Sequence, residues 1–144
     1  MAEKHAETIY ARVLDLVRGL VGVNTTFTQE LEAVGDALIP GFQGVHAADE
    51  QPDLAPGESS ISNLDKRGMP GSHWVALFGL PGDEVAVYDS FGRPTEEILP
   101  DFEGTPRDAE YDAEQPVTSL DCGARSLAWL ILAKRWGVET ALLV

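Results

Sequence analysis

The chain has 144 residues, enough for one compact domain spanning 1–144 and too few for a second independent core. With 44% hydrophobic and 24% charged residues it has the apolar surface to fold, and its formal charge of −14 disfavours phosphate backbones while suiting neutral or basic polypeptide partners. No apolar run approaches the roughly 20 residues needed to cross a bilayer, and the start Met1-Ala2-Glu3-Lys4-His5 has no basic region followed by an apolar stretch, so neither membrane insertion nor secretion is expected.

Glu3 to Val21 carries Ile9, Val13, Leu16, Val17 and Leu20 at helical spacing, which predicts an amphipathic opening helix with one buried stripe. Asn24-Thr25-Thr26, with Gln29 placed as in a capping box, leads into a second stripe of Leu31, Val34 and Leu38 that Pro40-Gly41 ends. Phe42 to His46 suits a short strand. From there to Gly57 the composition turns acidic, and Pro52 and Pro56 argue for an exposed loop. Trp74 to Leu80 and Val85 to Tyr88 are β-prone runs around Pro81-Gly82-Asp83-Glu84, an antiparallel hairpin with Asp89 at its end. Ile98 and Leu99 fit a helical turn. Asp101 to Glu114, with Pro106 inside it, reads as a loop into a short strand near Tyr111, and the last helix runs from about Asp121 to Trp136, ended by Gly137.

The single cysteine, Cys122, excludes an internal disulfide and a multi-cysteine zinc site, and suits a reducing compartment such as cytosol or nucleus. A catalytic cysteine works as thiolate, and a helix start favours that form through unpaired N–H groups and the helix dipole. Cys122 stands at such a start, followed by Gly123, which has no side chain to obstruct a substrate carbonyl. The alternative is a buried structural thiol. Among His5, His46 and His73, only His73 borders the central strand, where it is either a general base or a polar residue closing the turn before it. Asp89 falls at the same end of the hairpin, where it can orient the imidazole or simply form the turn before Ser90.

Gly71-Ser72-His73-Trp74-Val75-Ala76, then Tyr88-Asp89-Ser90-Phe91-Gly92, then Gln115 seven residues before Cys122-Gly123, together resemble the adenovirus maturation protease (adenain) and the related SUMO and ubiquitin-like-protein proteases. The resemblance covers roughly Asn63 to Trp136, and its specificity lies in order plus spacing. It implies an α+β, papain-like fold with a small, mostly antiparallel central sheet and the nucleophile at the start of a packed helix. By position it makes Cys122 the nucleophile, His73 its base, Asp89 the orienting carboxylate and Gln115 a donor to the oxyanion. Trp74 matches a tryptophan that narrows the cleft around glycines before the scissile bond, though it also suits a core aromatic, and Gly123 joins it in substrate binding.

The implied activity is peptide hydrolysis at sites with small or glycine residues. The substrates expected are viral structural precursors or, alternatively, conjugates of a ubiquitin-like protein. An acetyltransferase or an inactive peptide-binding member shares the same order of residues. Host cytoplasm or nucleus is the implied location, with packaging in the virion. The adenovirus enzyme uses a disulfide-held peptide and DNA. This chain has no spare cysteine, and 29–65 and 95–121 hold many acids and almost no Lys or Arg, so no cofactor and no nucleic-acid partner are expected.

Overall fold

The computed structural model describes residues 2–21, 28–64, 73–90, 93–99, 102, 104–109 and 122–144. In chain order these form α1 (Ala2–Val21), α2 (Thr28–Leu38), β1 (Phe42–His46), β2 (Ser59–Asn63), β3 (Trp74–Gly79), β4 (Glu84–Tyr88), α3 (Thr95–Ile98), β5 (Thr105–Asp108), α4 (Cys122–Trp136) and α5 (Val138–Ala141). The class is α+β, with one five-stranded sheet in the order β1-β2-β3-β4-β5. The expectation of a mostly antiparallel sheet needs correction. β2-β3 and β3-β4 are antiparallel, but β1 pairs in parallel with β2, and β5 with β4. Residues 47–58 and the stretch holding α3 are long enough to bring the chain back for those parallel pairings, whereas the short turn at Pro81–Asp83 permits only a hairpin.

Side chains of the central strands alternate between two apolar layers, as the period of a pleated strand requires. Trp74, Ala76, Phe78, Ala86 and Tyr88 join the core shared with α1 and α4. Val75, Leu77 and Val87 face the other way, into a smaller cluster with Ile98 and Leu99 of the α3 region. α4 is apolar on most sides and is accordingly packed against α1, α2, α5 and β3. Its Leu127, Leu130 and Leu132 are fully buried, at about 2 kcal/mol each of transfer free energy. That packing fixes where its first residue, Cys122, sits.

Several local expectations shift. In α1 the buried stripe is Ala6, Tyr10, Val13, Leu14 and Val17, while Leu16 and Leu20 are 72% and 61% exposed; at about 100° per residue that pair lies to one side of the stripe. In α2, Leu31 is buried but Leu38 is 41% exposed. β2 was not expected. Ser59-Ser60-Ile61-Ser62-Asn63 is polar by composition, yet all of it is buried between β1 and β3. Pro106 lies in β5 rather than in a loop, on the sheet's edge with its neighbours exposed, where a missing N–H costs no ladder bond. α5 was also missed; Trp129 of α4 holds it by donating Nε1–H to the Ala141 carbonyl at 2.8 Å. Gly137 does end α4, with a φ of 96° that glycine adopts freely. The cap at Asn24-Thr25-Thr26 and the strand near Tyr111 lie outside the described residues. Among the described residues no helix is long and apolar enough to cross a membrane.

Candidate active site

The hairpin brings the first two residues of interest together. Ala76 pairs with Tyr88 across the β3-β4 ladder, so continuing that register makes His73, just before β3, a same-face diagonal neighbour of Asp89, just after β4. The His73 backbone is pinned by its carbonyl, which accepts the Leu64 N–H at 3.1 Å. At the other strand end, Tyr88 stacks on Trp129 with ring centroids 5.4 Å apart, and its hydroxyl bonds that of Tyr10 at 2.8 Å. Helices α1 and α4 therefore both hold the residue that precedes Asp89.

His73 Nε2 and Asp89 Oδ1 are 2.7 Å apart, and both residues are 6% exposed. An ionised carboxylate only accepts, so Nε2 carries the proton and donates. Cys122 lies close enough to this imidazole to favour its charged form. With Nε2 donating to Asp89, a proton taken from a thiol would go to Nδ1. Burial pulls the His73 pKa down, but the hydrogen bond to Asp89 and the interactions with Cys122 outweigh it, so the pKa lies above its ordinary 6.5. Cys122 itself is buried at the first position of α4, where the backbone N–H groups have no partners within the helix. Ser126, one turn on, donates Oγ–H to the Trp74 carbonyl at 3.2 Å, tying that turn to the strand that follows His73.

Compared with protein-family models and with curated protein sequences, the chain has no match in either. The geometry therefore stands beside the motif order alone.

The structure thus bonds His73 to Asp89 and places Cys122 near the imidazole. Trp74 is 7% exposed and packs in the same apolar cluster as Cys122 and Ala124, in keeping with its core reading. Gly123 is buried in the first turn of α4. Gln115 lies outside the described residues. Among the described residues no group of three or more His, Cys, Asp or Glu side chains is placed to share a metal ion.

Arg93 is the component that sequence reasoning missed. Its Nε donates to Asp89 Oδ2 at 2.7 Å and its backbone N–H to the same oxygen at 3.2 Å. Asp89 therefore serves His73 through one oxygen and Arg93 through the other. The spacing from Asp89 to Arg93 is a usable signal once Asp89 is known to end a strand, because Asp and Gly are turn formers that bring following residues within reach of an Asp carboxylate.

The raised His73 pKa has a stability consequence. Its unfolded value is about 6.5, so the stabilisation is complete below that pH and is lost as pH rises through the higher folded value. His73→Gln is expected to lose more stability relative to the parent below pH 6.5 than well above the folded pKa, measured by denaturant unfolding across pH. Arg93→Gln is expected to move this window to higher pH, because the Asp89 charge then acts on the imidazolium with no second cation beside it. A window that moves down instead means that Arg93 serves to hold Asp89 against His73, and that its charge is secondary.

Proposed function

We propose that this chain is a papain-like cysteine endopeptidase of the adenain and SUMO-protease type, cleaving polypeptides at small or glycine residues. The observation that carries the reading is the His73 imidazole, held by Asp89 at 2.7 Å with Cys122 near enough to favour its charged form. Cys122 Sγ attacks the scissile carbonyl carbon while its proton rests on His73 Nδ1. The C–N bond then breaks, the imidazolium gives that proton to the leaving amine, and a thioester remains. Water, activated by the neutral imidazole, attacks the thioester carbonyl. This releases the acid and returns the proton to sulfur. The oxyanion formed in each half is held by the Cys122 backbone N–H and, by the resemblance, the Gln115 side-chain amide. Removing one such donor typically costs on the order of 3 kcal/mol of barrier.

Viral structural precursors in host cytoplasm or nucleus are the substrates this reading favours. The single cysteine leaves no second thiol for a disulfide-held activator. DNA is expected not to activate the enzyme. Of the cations that could have formed a basic strip, Arg93 is paired with Asp89 and Lys134 Nζ bonds the Gly57 carbonyl at 3.2 Å; Arg135 is exposed next to Lys134 in the last turn of α4, and Lys66 and Arg67 lie outside the described residues. With a net charge of −14, the summed field opposes a phosphate chain. Hydrolysis of a fluorogenic peptide with a glycine-containing site checks both points. Activity that needs Cys122 and does not change with duplex DNA over a salt series is the expected result. A several-fold, salt-sensitive rise with DNA restores a nucleic-acid cofactor, and no hydrolysis of any such peptide removes the protease reading.

A further inference from the structure

The sheet face turned away from α4 carries a cavity of about 750 Å³ that the proposed chemistry does not use. Leu54, Leu64, Leu77, Val85, Leu99 and Phe102 give it an apolar wall, with Leu77 and Leu99 part of the smaller hydrophobic cluster. Asp53 and Asp83, both exposed, line it as well, and among the described residues none of its lining side chains is basic. The cavity reaches the catalytic end of the sheet at Leu64, whose N–H donates to the His73 carbonyl at 3.1 Å. From there it extends along the hairpin to Asp83, in the turn at the far end.

We infer that this cavity is a docking site for a segment of the polypeptide substrate, remote from the scissile bond, that carries bulky apolar side chains flanked by Lys or Arg. An apolar wall takes up side chains such as Leu or Phe, each contributing through the area removed from water. Acidic groups at solvent-facing positions reward cations beside those side chains and penalise acids there, so charge supplies selectivity more than raw affinity. Because Leu64 couples the cavity wall to the backbone of His73, a segment seated there lies on the same strands that hold the base. Docking one part of a substrate raises the effective concentration of its cleavage site at Cys122.

The substrate role rests on the protease reading, but binding does not. The direct test therefore uses the full chain with Cys122→Ala and a short amidated peptide with Leu-Phe between paired lysines, followed by fluorescence anisotropy or NMR shifts. Saturable binding is expected, weakened about tenfold by Asp53→Asn combined with Asp83→Asn and lost in Ala48→Trp, which fills the cavity from its rim. The counterpart with glutamates in place of lysines is expected not to bind. In the active enzyme, the same segment joined to a cleavable peptide is expected to lower KM several-fold. The short peptide without it is cleaved equally by the parent and the two-Asn variant. Absence of binding, equal binding of the acidic peptide, or binding indifferent to all three substitutions overturns the site. A rise in cleavage of the short peptide when the basic segment is added separately overturns the substrate assignment in favour of an activator.

Discussion

Cys122→Ala and His73→Ala are each expected to lower hydrolysis by about a thousandfold or more, and the double variant to lose no more than either alone. In the proposed mechanism the thiol and the imidazole act as one unit, in which an imidazole without sulfur has no proton to take and sulfur without imidazole has no partner to give one to. Their effects therefore do not add. Folding survives both changes. Cys122→Ala removes one sulfur atom from a buried position, a loss on the order of 1 kcal/mol. His73→Ala removes one bond to Asp89 Oδ1 but leaves Oδ2 bonded to Arg93, so the buried carboxylate keeps its counter-charge; about 1.5–3 kcal/mol is the expected cost of the lost charge-assisted bond. Turnover of a fluorogenic peptide together with thermal unfolding of the three variants checks this. A fully active Cys122→Ala protein ends the account, and losses that multiply in the double variant separate the two residues into independent roles.

Asp89→Asn is expected to cost on the order of 10²–10⁴-fold in kcat with the fold retained, and the hydrogen-bond pattern says why. Asp89 accepts from His73 Nε2 on one oxygen and from Arg93 Nε and backbone N–H on the other. An asparagine has one acceptor oxygen, and the two donors of Arg93 claim it. The amide NH₂ then faces His73 Nε2, which must shed its proton and become an acceptor. The imidazole is left with its proton on Nδ1, the wrong tautomer to receive one from Cys122. Arg93→Gln combined with Asp89→Asn removes the competing Nε donor and is expected to recover part of the lost rate. No recovery means that the carboxylate charge, and not the tautomer, is what the reaction needs.

The hairpin, α4 and the position of Asp89 were legible in the sequence because their signals are local. A proline-glycine turn lies between two β-prone runs, and an apolar helix opens at Cys122 and stops at Gly137. β2 was not legible. Its three serines and one asparagine carry no strand signal, and they are buried because β1 and β3 close over them. β5 was hidden by Pro106, whose place on an edge is set by the sheet's order and not by the local sequence. In α1 the periodicity found the helix but misjudged its face, since Leu16 and Leu20 read as apolar whichever way the helix rolls. At the candidate site, residue order singled out His73 and Cys122, whereas Arg93 became visible only through its bond to the Asp89 carboxylate.

The central claim is that Cys122 is a nucleophile whose reactivity depends on His73 held by Asp89. The most direct measurement is covalent trapping: incubation with a peptide that ends in a Gly-Gly electrophile, followed by intact-mass analysis and peptide mapping. One adduct on Cys122 is expected in the parent. Labelling should be at least about tenfold slower in His73→Ala and absent in Cys122→Ala. Labelling of Cys122 at the same rate with and without His73, or no labelling of a folded protein, contradicts it.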